Sequence, residues 1–390
     1  MVMLADTDAG SVITASQSGA RWGYRLLVLQ VLLVPILYLV MELTVRLGIA
    51  TGKGHAQLIR ERFGTRWAAI SVGTLLVSAL GALVTEFAGI AGAGELFGVP
   101  RSLTVPLAAV LLVALVVSGG YRRVEIVGIA LGLFELAFVG AAVLAHPGLH
   151  ELAAGVTEAQ PLGNGSYLAL IAANVGAVVM PWMLFYQQSA VVEKGLGERD
   201  LRWARIDTAV GAVLTQVIMG AVLVATAASL HGRGAGSLRS VGEMAGTLSP
   251  LLGSTTSRVV LAVGIAGAAL VASIVVSLGA AWAVAEAAGR PRSLDDGVRS
   301  APLFYGLFTV AVVLGAALVL SSGSLVRLAV DAEILNALLL PLVLGMLVVL
   351  ARRVLPGRYA LGRGHRVAVG FTTLAVTLVG ILWAGFALGL

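Results

Sequence analysis

Residues 1–20 read MVMLADTDAGSVITASQSGA. Two aspartates, Asp6 and Asp8, and a glycine, Gly10, stand inside a stretch that otherwise suits a membrane. An ionised carboxylate in hydrocarbon costs at least ~2.5 to 3.5 kcal/mol, and a glycine inside a helix costs about 1 kcal/mol relative to alanine. Both make sense if the helix is interrupted and its acids face a cation. A second interruption follows in Gly176-Ala177-Val178-Val179-Met180-Pro181, because proline removes a helix hydrogen bond and clashes with the preceding turn. Breaks at corresponding positions of two halves point to a five-plus-five inverted repeat, in which the unwound pieces meet at mid-membrane and form the substrate site. Gln17-Ser18-Gly19 and Gln188-Ser189-Ala190 faintly echo the same repeat. The competing reading is that Pro181 only kinks its helix.

Composition agrees with a membrane solvent. Of 390 residues, 58% are hydrophobic and 12% charged, and the mean hydropathy is +0.98, whereas soluble domains carry about 25% charged residues. Apolar runs long enough to span a bilayer recur along the chain, and alternating period-2 segments are absent, which argues against a β-barrel. The fold class expected is therefore an all-α polytopic membrane protein of about eleven transmembrane helices. The spans are placed near 2–20, 24–48, 68–97, 102–120, 124–145, 167–190, 207–229, 257–284, 302–320, 326–351 and 367–389. The whole chain, 1–390, reads as one transmembrane domain, with a first repeat at about 1–145, a second at about 167–351 and an extra helix at about 367–389. The polar connection 230–256 could form a short helix on the outer surface.

The net charge of +6 does not signal nucleic acid, because the basic residues sit in short connections between spans. With a cytoplasmic N-terminus, 19 of the 26 Lys and Arg fall on the inner side and seven outside, at Arg21, Arg25, Arg101, Arg233, Arg239, Arg258 and Arg327. That split follows the positive-inside rule and decides the orientation; a multi-pass protein of the cell membrane with a cytoplasmic N-terminus is expected. No cysteine is present, so disulfides and thiolate metal sites are excluded, and no cleavable signal peptide is visible. Seven residues precede Asp8, fewer than the ~10 of a half-helix, so either a start upstream of Met1 or a truncated chain is expected.

The motifs resemble one family. DAGSVITASQSGA is similar to the first-span signature of the NRAMP divalent-metal transporters, D-P-G-N followed by T and Q-x-G. GAVVMPWMLFYQQSAVVEKG is similar to their sixth-span A-x-x-M-P-H. RLGIATGKGHAQLIRERFG, TEFAGIAG, LFGVP and, more loosely, NALLLPLVLGML continue the likeness in order. The resemblance implies metal ligands at Asp8, Ser11 and Met180 and at the carbonyls of Ala177 and Ala5. It puts Glu333, eight residues before Pro341, where the family often has a ligating glutamine, and Glu86 at an aspartate of the proton pathway. Four positions depart from the pattern: Ala9 for proline, Ser11 for asparagine, Trp182 for histidine, and Gly89 for a second acid.

Read residue by residue, Asp8 is the central cation ligand, and an aspartate there could equally cap the inner half of span 1. Asp6 could face an aqueous vestibule or pair with an arginine. The thioether of Met180 favours transition metals over hard cations, although most methionines only fill core gaps. Ser11 and Glu333 add oxygen and harden the site toward Mg²⁺; Glu333 could instead pair with Arg327. Glu86, Asp6 and Glu135 are proton-pathway candidates, since intramembrane acids commonly lie on ion or proton paths, with a buried hydrogen bond to a neighbouring helix as the alternative for Glu135. Gly10, Pro181 and Trp182 are candidate gating positions. Glu42 reads as an inner-face ion pair with Arg46, and the five histidines read as loop residues.

The function expected is secondary-active import of a divalent metal ion, Mn²⁺ or Fe²⁺ before others, by alternating access, with a proton as candidate co-substrate. The metal is cargo; no cofactor and no enzymatic activity are expected, and the partners are the metal ion and the lipid bilayer. The alternatives are a Mg²⁺-transporting relative and an amino-acid or amine transporter of the same fold.

Overall fold

The computed structural model describes residues 1–230, 238, 240–321 and 325–387. Among them only helices occur as regular structure. The chain opens with a 3-10 turn, Leu4–Asp6, followed by α1 (Ala9–Trp22), α2 (Leu27–Thr51), the short α3 (His55–Phe63), α4 (Thr65–Glu95) and α5 (Arg101–Val117). The fifth span is divided into α6 (Tyr121–Gly132) and α7 (Leu136–Leu144) by a 3-10 turn at Leu133–Glu135. After α8 (Leu149–Thr157), the sixth span is divided into α9 (Gly165–Val178) and α10 (Pro181–Glu193). Then come α11 (Leu201–Leu230), α12 (Val241–Leu252), α13 (Ser254–Ala288), α14 (Gly297–Ser300), α15 (Pro302–Ser321), α16 (Leu325–Val354) and α17 (Arg363–Ala387).

Nine of these segments, among the described residues, are long and apolar enough to cross a bilayer. The 17-residue α5 and the interrupted first span, the opening turn plus α1, complete the eleven expected. Val367, Phe371, Leu374 and Leu378 make an exposed stripe along α17, and Leu103, Leu107, Val110 and Leu111 another along α5. Rows of large apolar side chains with no protein partner fit a lipid surface. The protein is a multi-pass membrane protein.

Glycines bring the inner helices together, as in other membrane bundles where small residues permit close backbone approach. A Cβ at Gly19 in α1 would meet the backbone of Leu223 in α11, and one at Gly48 in α2 would press on Val191 of α10. The helix anticipated within 230–256 exists as α12, but it is not merely laid on a surface: Val241, Met244 and Ala245 are buried, and Gly92 of α4 leaves room for Val241. His231, Arg233, Arg239 and the end of the last expected span lie outside the described residues.

Two histidines correct the sequence reading. His55 begins α3 and is fully buried, its Nδ1 2.8 Å from Gln188 Oε1 and its ring edge-on to Phe185. His365 lies in the first turn of α17, 3.5 Å from Glu42. Glu42 does form the expected ion pair, at 2.6 Å from Arg46, and Arg205 joins it at 2.7 Å.

Candidate functional site

The first break is two residues long. Thr7 (φ −84°, ψ 47°) ends the opening turn, and Asp8 (φ −66°, ψ 174°) is extended and caps α1, its Oδ1 accepting from the Ser11 N–H at 2.7 Å. The cap therefore belongs to the longer half, Ala9–Trp22, which leads away from the N-terminus, not to the half nearer it. The next free N–H, at Ala9, donates to Glu86 Oε2 on α4 at 3.1 Å. Two carboxylates thus meet the positive end of α1, where the helix dipole favours negative charge.

The second break is at Val179 and Met180, both extended. Pro181 has no N–H to offer the carbonyl four residues back, which is that of Ala177. That carbonyl instead accepts from Ser11 Oγ at 2.9 Å, while Ser11 Oγ also lies 3.0 Å from the carbonyl of Asp6. One hydroxyl therefore joins the two breaks. Ala5, Asp8, Ser11, Ala177 and Met180 are all inaccessible to solvent.

Glu333 on α16 enters between the breaks. Its main chain packs so close to α9 that a Cβ at Gly176 would stand 1.9 Å from its carbonyl oxygen. Its side chain reaches α1, where a Cβ at Gly10 would stand 2.2 Å from Oε1 and 3.1 Å from Thr85 Oγ1. Pairing with Arg327 does not occur: Arg327 lies 3.7 Å from Asp331 on the exposed side of α16, and Glu333 is fully buried. Its Oε2 accepts from Asn336 Nδ2 at 3.0 Å, and Asn336 Oδ1 accepts from Ser78 at 2.6 Å. Asp6 is buried as well, so it faces neither an open vestibule nor an arginine.

Several carboxylate oxygens here have no hydrogen-bond partner: both of Asp6, Oδ2 of Asp8, Oε1 of Glu333 and Oε1 of Glu135. A buried anion without a partner is expensive, so a cation or protons must complete this region. Among the described residues, no group of three His, Asp or Glu is arranged to hold a metal ion by itself. The donors at the breaks are instead mixed: carboxylate, hydroxyl, carbonyl and thioether.

The departures noted in the sequence have physical counterparts. Gly89 faces α1, where an added Cβ would stand 2.4 Å from the Ala9 methyl. Trp182 follows Pro181 in the first turn of α10 and is fully buried, its Nε1 without a partner. Glu135 closes the 3-10 turn of the fifth span and hydrogen-bonds Thr7.

Sequence reasoning passed over Thr7, Asn336, Ser78 and Asn174. Asn174, in α9, accepts from Gln30 at 2.6 Å and donates to Ser18 at 2.8 Å, tying α2 and α1 to the sixth span. A polar residue in an otherwise apolar span was the available signal.

Clefts lie beyond the buried region. One of about 460 Å³ is lined by Gln17, Arg21, Ser166, Arg327 and Asp331. Another of about 60 Å³, along the C-terminal half of α10, is lined by Tyr121, Glu125, Gln187, Lys194 and Asp207. Gln17 closes the first by hydrogen bonds in both directions with the backbone of Leu238.

Known proteins match this arrangement. The profile of the natural resistance-associated macrophage protein-like (Nramp) family matches residues 1–384. The divalent metal cation transporter MntH of Brucella suis is 30% identical over 277 residues, 68% of this chain and 60% of that protein. MntH 1 of Pseudomonas aeruginosa is 31% identical over 271 residues, 65% of this chain and 60% of its own length. The match thus spans about three fifths of these curated relatives. A manganese transporter of Eremococcus coleocola superposes with a TM-score of 0.82 at 21% identity, covering 99% of this chain and 86% of that one. The nucleobase-cation-symport-1 transporter Mhp1 does so with 0.66 at 16% identity, covering 98% and 88%. At these identities the superpositions establish the shared fold. On the family profile and the curated relatives together, the chain belongs to the Nramp family.

Proposed function

We propose that this chain is a secondary transporter that imports a divalent metal ion, Mn²⁺ or Fe²⁺ before others, by alternating access. The single observation that carries the reading is the Ser11 Oγ contact with the Ala177 carbonyl at 2.9 Å, which puts donors from both broken helices around one point. Asp8 supplies the charge through its unpartnered Oδ2, Ser11 and the carbonyls of Ala177 and Ala5 replace hydration, and Met180 biases the site toward softer ions. For the metal to bind, the Ser11 hydroxyl turns its lone pairs toward it and gives up its bond to Ala177. The clefts on either side of a sealed centre suit a site opened to one side at a time.

Asp8 and Glu86 are the proposed proton carriers, because both acids sit at the capped end of α1 and act on one another electrostatically. Gly10 and Pro181 mark the hinge points, and Trp182 is the apolar plug beneath the site. The repeat boundaries proposed are 1–145 and 167–351, with 367–389 as an added helix. The N-terminus is proposed to be cytoplasmic in the cell membrane.

Manganese uptake into proteoliposomes tests this. Asp8→Ala should abolish uptake, and Met180→Ala should preserve it while narrowing discrimination against Ca²⁺ and Mg²⁺. Undiminished flux through Asp8→Ala rejects the site. One observation favours a second cargo: the unpartnered Glu333 Oε1 adds a hard anionic ligand, which suits Mg²⁺. Competition of Mg²⁺ against Mn²⁺ uptake separates the two. An amino-acid substrate is disfavoured, since Asp8, Glu86 and Glu333 would repel its carboxylate.

A further inference from the structure

The fifth span is interrupted beside the first. Its two α-helical pieces are joined by the 3-10 turn Leu133–Glu135, and Glu135 closes that turn. The approach is built by glycines: a Cβ at Gly132 would press on Leu4 at 2.8 Å, and one at Gly128, a helical turn earlier, would press on Met1 at 2.8 Å. On its other side the fifth span packs on α13, where Gly264 accommodates Phe138 and Gly267 accommodates Phe134 and the Leu131 carbonyl. The turn is therefore fixed to α13 and laid directly against the segment that precedes the first break.

At that point Glu135, fully buried, hydrogen-bonds the hydroxyl of Thr7. The same hydroxyl lies 3.0 Å from the Leu4 carbonyl. Thr7 is the residue in the break that does not begin α1, and it immediately precedes Asp8. Besides the unwound backbone itself, this is a side-chain tie that runs from a neighbouring span into the break. The charges that face Glu135 are Asp6 and Asp8, both acidic, and the amino group of Met1.

We propose that Glu135 is a positioning residue: through Thr7 it fixes the break of the first helix to the fifth span, and so sets where Asp8 presents its carboxylate. Its work is done by hydrogen bonding, not by carrying a proton through the membrane. A glutamine keeps the length of the side chain and a carbonyl oxygen that can accept from the Thr7 hydroxyl, whereas a leucine keeps only the bulk. The inference rests on the transport reading above, so one of its two readouts is independent of metal.

The first readout is amide hydrogen exchange of residues 1–12 in metal-free protein. Glu135→Leu and Thr7→Val should each speed exchange at the break by about tenfold, the scale of one buried hydrogen bond. The double variant should go no further than either alone, and Glu135→Gln and Thr7→Ser should remain near the wild-type rate. The second readout is Mn²⁺ uptake. Glu135→Gln should keep turnover within about threefold of wild type, while Glu135→Leu should raise KM by about tenfold or more. Equal losses from Glu135→Gln and Glu135→Leu would make the carboxyl proton the essential property and overturn the proposal. So would independent, additive effects of Glu135→Leu and Thr7→Val on exchange. If the wild-type protein takes up no metal, the transport reading fails while the exchange result still decides the tie.

Discussion

Replacing Gly10 by alanine tests how Glu333 is held against the first break. The new methyl would stand 2.2 Å from Glu333 Oε1, so the carboxylate must retreat by about 1.2 Å to reach the 3.4 Å of ordinary contact. The obstructing atom is the end of a side chain, but that side chain is buried, and Asn336 holds its other oxygen at 3.0 Å. Overpacking of this kind costs about 1–3 kcal/mol. With Glu333 taken as the further carboxylate ligand that the family resemblance implies, metal–ligand distances tolerate only about 0.2 Å, so a displacement several times larger should weaken metal affinity by about tenfold, equivalent to ~1.4 kcal/mol. The decisive comparison is with Gly10→Ala made in a Glu333→Ala background. There the remaining neighbour is Thr85 Oγ1 at 3.1 Å, which need give only a few tenths of an ångström, and the stability cost should fall below about 0.5 kcal/mol. Thermal melts in detergent measure the stability arm, and the KM for Mn²⁺ uptake measures the affinity arm. A Gly10→Ala cost that is the same with and without the Glu333 carboxylate would refute the reasoning, because it would place the clash elsewhere.

Gly176→Ala meets backbone instead of a side-chain end, 1.9 Å from the Glu333 carbonyl oxygen, so α9 and α16 must separate; a loss of about 3 kcal/mol or more, seen as a collapse in Tm or in folded yield, is expected. Glu86→Gln should leave Mn²⁺ binding by titration calorimetry within about threefold while removing the stimulation of uptake by an inward proton gradient; stimulation that survives would take Glu86 off the proton path. Burial holds the His55 imidazole at about 4, against the raising effect of its Gln188 hydrogen bond. The unfolded chain, at about 6.5, then binds the proton more readily than the folded one, so this stability is complete above pH 6.5 and is lost as pH falls toward 4. The loss amounts to about 3 kcal/mol. Melts at pH 7 and 4.5 should show a smaller acid loss in His55→Gln than in wild type, and equal losses would contradict the assignment.

The sequence disclosed the parts of this architecture that are local. Glycine, proline and acid within a few residues of one another mark a break wherever the helix period would otherwise continue, and the breaks lie beside those residues: the first at Thr7 and Asp8, with Ala9 and Gly10 already helical in α1, and the second at Val179 and Met180, just before Pro181. Unbroken apolar runs likewise located the spans. Contacts between distant helix faces were not legible, because periodicity states which residues are apolar and not which helix they meet. Glu333 could be read as a surface partner of Arg327 only because four-to-six-residue spacings on one helix are visible in a sequence. The glycines at 10 and 176 that draw it inward belong to other helices. His55 was misplaced for the same reason: a histidine after Gly52-Lys53-Gly54 looks like a loop residue until α3 docks on α10. The 3-10 turn of the fifth span had a weaker signal of the same kind, Gly132 followed three residues later by Glu135 with no proline, and sequence reasoning took Glu135 as a proton-pathway candidate, not as the mark of a break.

The central claim is that donors from two broken helices share one cation. Anomalous X-ray diffraction from crystals grown with Mn²⁺ measures this most directly. The account predicts one strong buried peak about 2.0–2.6 Å from Asp8 Oδ2 and the Ala177 carbonyl oxygen, absent in Asp8→Ala. A dominant peak away from both breaks, or one that survives Asp8→Ala unchanged, would contradict it.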